Sequence, residues 1–398
     1  MMFDDDNSLK VAIAGDVCMR NLTEHMDADF SRAALSEIQP ILDNADVRLI
    51  NLENPLTDSD KAIAKSGPSL KAKPENIAFL KEGRFHCALL ANNHIGDYGE
   101  EGVYSTLKKL DEAGIGHTGA GRNIDESYIP WYFEANGLKL AVIAVCEHEF
   151  GIAEQNKAGT AGLDMYRVYH AIKNAKINAD FAIIIIHGGN EYNPMPTPCT
   201  VSHYRLFAEF GANAVIGMHP HCMQGFEIYN NVPIVYSTGN FLFSKPAADD
   251  PRDSWYHGYL PFITFKKGEP ARLEVIPYQF NRECTLISPL KGDKKNKILA
   301  YIDEISGPIK DEQLLTKFFM GWCVLSGTRH GEYIDYKPEF LEEQEFLTGH
   351  PLLALRNMHT CEAANEMMTE FFKMLADGKL HIGKSMADEI KRLQKMPV

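Results

Sequence analysis

Two histidines, His219 and His221, follow a short apolar run in the stretch Ile216-Gly-Met-His-Pro-His-Cys-Met-Gln224. Imidazoles two residues apart around Pro220, directly after such a run, read as a ligand-bearing turn rather than a core strand. Four other apolar runs also end in polar groups: Val11-Ala-Ile-Ala-Gly-Asp16, Val47-Arg-Leu-Ile-Asn-Leu-Glu53, Cys87-Ala-Leu-Leu-Ala-Asn-Asn-His94 and Phe181-Ala-Ile-Ile-Ile-Ile-His187. Ligands of open α/β sheets bind beyond the carboxyl ends of the strands, so five such endings predict one shared site. Its donors would be carboxylates from Asp16 and Glu53, an amide oxygen from Asn93, and imidazoles from His187, His219 and His221. This mixture of hard oxygen and borderline nitrogen suits Mn, Fe or Zn. Hydrolysis by two ions needs two ligand sets about 3.5–4 Å apart with an oxygen shared between them, and strand-end loops can supply that. The expected cofactor is therefore a divalent metal, at two positions.

Other polar residues near these endings each carry a plainer alternative. Asp16 would also serve as a helix cap. Glu191 fits either a hydrogen bond to His187 or a base, against simple loop solvation. Arg20 fits neutralisation of a substrate anion and equally a surface ion pair. Cys18 reads as a small buried apolar residue, and His25, His117, His148 and His203 as structural. The prolines of Asn193-Pro-Met-Pro-Thr-Pro198 predict a rigid rim wall, and Tyr236 to Phe241 a tight turn from which Asn240 could face the site.

The elements that must position these groups follow from periodicity. Strands are predicted over Lys10–Ala14, Val47–Leu52, Cys87–Leu90, Ile183–Ile186 and Ala214–Gly217, with helices over Phe30–Asn44 (Pro40 a kink), Glu75–Lys81, Tyr98–Ala113, Met165–Ala179 and His203–Phe210. Gly114 suits a helix C-cap. Asn136-Gly137, Asn230-Asn231 and Lys267-Gly268 each sit between apolar runs as hairpin turns, so the sheet is mixed. The stretch between Pro55 and Pro74 predicts a surface loop near the site mouth. From about Lys291 the texture becomes helical, which predicts a catalytic domain over 1–290 and a helical region over 291–398.

Composition narrows the function classes. A formal net charge of −14 across 398 residues leaves no basic excess to neutralise nucleic-acid or lipid phosphates. The eight cysteines are scattered without a C-x-x-C pair, which predicts reduced thiols. The start, Met-Met-Phe-Asp-Asp-Asp-Asn-Ser, lacks the basic and apolar regions of a signal peptide, and no transmembrane run occurs, so a cytoplasmic location is expected. Nothing in the pattern indicates an oligomeric state.

Gly15-Asp16, Asn51-Leu-Glu53, Asn92-Asn-His94 with Asp97 and Gly99, His187 with Glu191-Tyr192, Gly217-Met-His-Pro-His221 and Tyr236-Ser-Thr-Gly-Asn-Phe241, in this order from Val11 to Ile276, resemble the CapA family. That family is linked to poly-γ-glutamate capsule synthesis and is similar to calcineurin-like metallophosphoesterases. The resemblance implies an α/β fold, a mixed β-sheet sandwich flanked by helices, followed here by a helical C-terminal region. It implies Glu53 as a bridging carboxylate, Asp16 and His221 on one metal, Asn93, His187 and His219 on the other, and His94 as general acid. The implied activity is hydrolysis of a phosphoester or γ-glutamyl substrate, so the expected partner is an anionic small molecule or polymer. A non-catalytic polymer-binding or assembly component is the alternative. Two departures stand out: Asp16-Val-Cys18 replaces the Asp-x-His of metallophosphoesterases, and the bridging position is Glu rather than Asp.

Overall fold

The computed structural model describes residues 7–19, 26–244, 253–330 and 350–398. Arg20 and His25 lie outside them. In chain order the first strands are β1 (Ser8–Cys18), β2 (Val47–Leu52), β3 (Cys87–Leu89), β4 (Gly116–Thr118) and β5 (Ala120–Gly121). Next come β6 (Trp131–Ala135), β7 (Leu138–Cys146), β8 (Gly159–Thr160), β9 (Phe181–His187) and β10 (Ala214–Met218). The last are β11 (Phe226–Tyr229), β12 (Val232–Val235), β13 (Asn240–Phe243), β14 (His257–Lys266), β15 (Arg272–Phe280) and β16 (Ile287–Pro289).

Two mixed sheets result, beside a two-stranded β5-β8 ribbon. One runs β16-β15-β14-β1-β2-β3-β4, with β13 also paired to β1; the other runs β11-β12-β10-β9-β7-β6. The strands β1 to β4 are parallel neighbours, as are β7, β9 and β10, so each sheet gathers its strand carboxyl ends at one edge. Alternation along the strands builds the layers. Val11, Ile13, Val47 and Leu49 point between the sheets to meet Leu140, Val142, Ile183 and Ile185, and the Phe181 and Phe265 rings stack across the gap at 4.9 Å. Ala12, Ala14 and Ile50 face outward onto helix residues Leu35, Phe79 and Val103, and Ile143, Ile184 and Val215 face Val168, Ile172 and Phe207. With both faces covered, the central strands are continuous apolar runs. The helices after Lys291 join the inter-sheet core through Ile298, Tyr301, Trp322, Met367 and Ile390.

Three expectations need correction. Phe30 to Asn44 is not one helix: it divides into Ala28–Leu35 and Gln39–Leu42, with Pro40 in the first turn of the second, where its missing N–H costs nothing. The helix expected from His203 begins at Pro198, again a first-turn proline, and is capped by Thr197 Oγ1 accepting from Thr200 N at 3.1 Å. Tyr236 to Phe241 is more than a turn, because Asn240 opens β13, in parallel register with Asp16. That pairing brings the backbones so close that a Cβ on Gly15 would lie 1.9 Å from Gly239 O. None of the eight cysteines forms a disulfide. No described helix is long and apolar enough to cross a membrane.

Candidate metal centre

The five predicted strand ends do meet, from two sheets rather than one. Asp16 lies near the carboxyl end of β1, Glu53 follows β2, Asn93 and His94 follow β3, His187 closes β9, and His219 and His221 follow β10. Asn92 shapes its turn: its Oδ1 accepts from His94 N and Ile95 N at 3.2 and 2.9 Å, while its Nδ2 donates to Leu52 O at 2.9 Å. Around Pro220 both histidines adopt positive φ, 97° at His219 and 54° at His221, which turns both rings toward the sheet edge.

Six candidate ligands are thereby buried together: Asp16 and Glu53 are fully buried, and Asn93, His187, His219 and His221 are nearly so. Glu53, His187 and His219 offer ligand atoms within 4.8 Å of one another, and so do Asp16, Glu53 and His221; Glu53 is common to both groups. His187 Nε2 stands 3.1 Å from Asn93 Oδ1 and 3.0 Å from His219 Nδ1. Asp16 Oδ1 accepts from Asn51 Nδ2 at 2.7 Å, and its Oδ2 accepts from His219 N at 3.1 Å. Both oxygens of Glu53 are buried without a hydrogen-bond partner among the described residues. A buried carboxylate in that condition is expensive unless a cation satisfies it.

Electrostatics agree with a cation-ready site. Burial holds the His187 imidazole down to about 4 and His219 well below its ordinary value, leaving both neutral, as ligation requires. Burial also lowers His221, but Glu53, Glu191 and Asp16 outweigh it and raise that ring. The Glu53 carboxyl is raised well above its usual range, first by burial. Two neutral imidazoles, two carboxylates and an amide oxygen are compatible with divalent metal binding.

The comparison with known families settles the affiliation. Residues 10–245 match the family described as bacterial capsule synthesis protein PGA_cap. The chain belongs to the PGA_cap family. It is 30% identical over 251 residues to the capsule biosynthesis protein CapA of Bacillus anthracis, a match covering 61% of each chain. It is 29% identical over 301 residues to the PGA biosynthesis protein CapA of Bacillus subtilis (strain 168), covering 72% of this chain and 75% of that one. Among solved structures, a phosphatase from Mycoplasma pneumoniae aligns with a TM-score of 0.41 at 14% identity, covering 68% of this chain and 93% of that one.

Within this PGA_cap chain, several residues missed by sequence reasoning surround the centre. Asn51 orients Asp16, and Asn240, which the sequence offered as facing the site, does stand against a ligand: its Oδ1 is 2.9 Å from His221 Nδ1. Glu149 Oε2 accepts from Asn93 Nδ2 at 3.2 Å, and its Oε1 is 3.6 Å from His219 Nε2. Glu149 lies three residues beyond β7, so it is another strand-end residue that the same rule would have found. His94 Nδ1 lies 2.7 Å from Asp97 Oδ2, whose other oxygen receives Lys65 Nζ at 2.6 Å. Lys65 comes from the expected mouth loop but is nearly buried, a placement no local pattern signals. Glu191 is not the partner of His187: that ring faces Asn51, Asn93 and His219, while Glu191 stands exposed on the rim. Cys18 is in neither ligand group and packs in the apolar core with Val17 and Met19.

In front of the centre lies a cavity of ≈ 650 Å³, lined by Asn93, His94, Glu149 and His219 at its floor. Its walls come from the Gly189–Tyr192 loop and from the C-terminal helices, including Trp322, Asn357 and Met367.

Proposed function

We propose that the chain is a CapA-like metal-dependent hydrolase acting on a phosphoester or γ-glutamyl substrate in poly-γ-glutamate capsule biosynthesis or processing. The observation that carries this is Glu53, a fully buried carboxylate that accepts no hydrogen bond at either oxygen, has only the His187 and His221 imidazoles 3.5 and 3.6 Å from Oε1, and is shared by two ligand groups. Glu53, Asp16 and His221 would hold one divalent ion of the Mn, Fe or Zn type, and Glu53, Asn93, His187 and His219 a second. Metal held there supplies Lewis acidity toward a phosphoryl or carbonyl oxygen. Asn51 fixes Asp16, and Glu149 fixes Asn93, so the donors are oriented before anything binds.

His94 handles the leaving-group proton. The contact with Asp97 makes Nδ1 the donor and leaves Nε2 toward the cavity as the proton-carrying position. Burial, then Lys65, lowers this imidazole to about 4, so in the free protein it is neutral. It must acquire its proton with the substrate, whose negative charge offsets both effects.

Cys18 favours a second reading. With a core cysteine where metallophosphoesterases carry a histidine ligand, the chain would be a polymer-binding or assembly component that keeps the site's shape. Metal analysis of protein purified without chelator, then reconstituted with Mn, Fe or Zn and compared with His219→Ala, tests the first reading. Bound metal that His219→Ala reduces, with turnover of a phosphodiester panel or poly-γ-glutamate, supports it; metal-free wild type after reconstitution refutes it. Bound metal without turnover selects the second.

A further inference from the structure

Three consecutive residues after β7 serve two different parts of the molecule. Glu149 serves the metal centre: its Oε2 accepts from Asn93 Nδ2 at 3.2 Å, and its Oε1 stands 3.6 Å from His219 Nε2. Both contacts are to ligands of the same ion, the one that Asp16 and His221 do not hold. Taking Asn93 Nδ2 leaves Oδ1 as the amide atom turned to that ion, 3.1 Å from His187 Nε2. A carboxylate beside His219 Nε2 favours the tautomer that carries its proton there, which leaves Nδ1, 3.0 Å from His187 Nε2, as the free donor. Among the described residues, no hydrogen bond or ion pair joins Glu149 to Asp16, Glu53 or His221. The two residues before it grip the C-terminal helices. Glu147 Oε2 accepts from Ala363 N and Cys361 Sγ at 3.3 and 3.4 Å. His148 brackets the Glu362 carboxylate, its N donating to Oε2 at 2.8 Å and its Nδ1 lying 2.6 Å from Oε1. Those contacts hold the first turn of the helix Glu362–Ala376, which lines the cavity with Ala363, Ala364 and Met367. Glu149 N donates to Glu147 O at 2.9 Å, closing the three residues into a tight turn, and Glu147 N donates to His187 O at 3.0 Å, tying that turn to the end of β9.

We propose that Glu149 is a positioning residue for the ion held by Glu53, Asn93, His187 and His219 and not for the other ion, and that the Glu147–Glu149 turn makes docking of the helix Glu362–Ala376 part of that ion's site. The inference rests on the metal-binding part of the hydrolase reading and not on turnover. One carboxylate orients two of the four ligands, so its loss frees both at once while leaving Asp16 and His221 as they are. A residue that merely filled space beside the centre would not divide the two ions in this way. The turn also gives the C-terminal helices a role beyond walling the cavity. A helix start that holds Glu147 and His148 in place holds Glu149 against Asn93 and His219, and the ion that fixes those two ligands holds the helix start in return. Such coupling is reciprocal by linkage and is commonly worth a factor of about 5–150 in affinity.

The test strips full-length protein with chelator, restores Mn, Fe or Zn, and measures bound metal per chain against free metal by equilibrium dialysis. Wild type should take up two ions. Glu149→Ala should keep one and bind the other about 10–100-fold more weakly, the usual effect of removing a group that orients ligands. Glu149→Gln keeps one acceptor and should fall between. His221→Ala should weaken the opposite ion, so that Glu149→Ala with His221→Ala holds neither tightly. Glu362→Ala, which touches no ligand, should weaken the same ion as Glu149→Ala about fivefold. Metal should slow amide hydrogen exchange along residues 362–376 in wild type and not in Glu149→Ala. A single ion in wild type, equal weakening of both ions by Glu149→Ala, or a double variant that holds one ion as tightly as either single variant overturns the assignment. Exchange along the helix that ignores metal, together with Glu362→Ala binding both ions as wild type does, overturns the coupling. Wild type that takes up no metal brings down this inference and the hydrolase reading together, whereas two ions bound equally by wild type and Glu149→Ala sink this inference alone.

Discussion

Replacing Glu53 by Gln should act with opposite signs on metal-free and metal-loaded protein. Without metal, the wild-type carboxyl is buried with no hydrogen bond to either oxygen, and burial raises its pKa well above the ordinary range. Holding a buried carboxyl protonated above its ordinary pKa costs about 1.4 kcal/mol per pH unit, and Gln keeps the volume without titrating. Taking the gain as about 2 kcal/mol, and an unfolding entropy of about 2.1 cal/mol/K per residue over 398 residues, the metal-free variant should melt about 2 °C above wild type. Metal at about 1,000 times its Kd adds about 4 kcal/mol, or roughly 5 °C, to wild type. The variant has lost the oxygens common to both ligand groups, so it should gain less than about half of that. The order of the two melting temperatures therefore reverses between chelator and metal. Calorimetric melts in EDTA and in Mn, Fe or Zn read this directly. A variant that melts lower than wild type by the same amount in both conditions would show Glu53 to be an ordinary structural carboxylate, and the argument from its oxygens without hydrogen bonds would fail.

Three further outcomes are expected. His94→Gln should lower kcat about 10²–10⁴-fold with little change in KM, because it removes proton handling and leaves the metal donors in place; unchanged kcat removes His94 from the chemistry. Burial, then Glu362, raises the Glu147 carboxyl to about 8, where it accepts from Ala363 N and Cys361 Sγ at 3.3 and 3.4 Å. A carboxyl raised in the folded state contributes stability that is full below about pH 4.5 and lost as pH rises toward 8, up to about 5 kcal/mol, so urea denaturation should show wild type losing stability between pH 5 and 8.5 and Glu147→Gln losing much less. Gly217→Ala would set a Cβ 2.0 Å from Tyr236 O and 2.8 Å from Tyr204 Oη, so it should destabilise by about 3 kcal/mol, read by the same method.

How much was legible follows from how local each signal is. The central strands are apolar on both faces because helices cover both sheets, so β2 and β9 stand out as runs of Val, Ile and Leu, and the residues ending those runs are the ones that meet. The helix Gly99–Ala113 was marked by spacing and by Gly114, which takes the left-handed conformation with φ 68°. By contrast, β13 forms only because Asn240 pairs beside Asp16, more than two hundred residues away in the chain, and nothing between Tyr236 and Phe241 encodes that. Lys65 was invisible for the same reason: its meaning depends on Asp97. The C-terminal helices showed their periodicity, but periodicity says which face is apolar and not that Trp322 or Asn357 reaches the cavity.

The turn from Ile216 to Gln224 joins these levels. Two non-glycine residues with positive φ store strain, and such strain persists only where the surroundings over-determine the backbone. Here they do so without metal: Asp16 Oδ2 accepts from His219 N, Ser237 Oγ donates to Cys222 O at 2.8 Å, and Gln224 Nε2 donates to Asn193 O at 2.8 Å. Three separate elements therefore fix the histidines before any ion arrives. A site prepared in this way should bind metal without refolding, which is why the comparison of chelated and loaded protein is a fair one: both states share the fold, and only the partners of Glu53 differ.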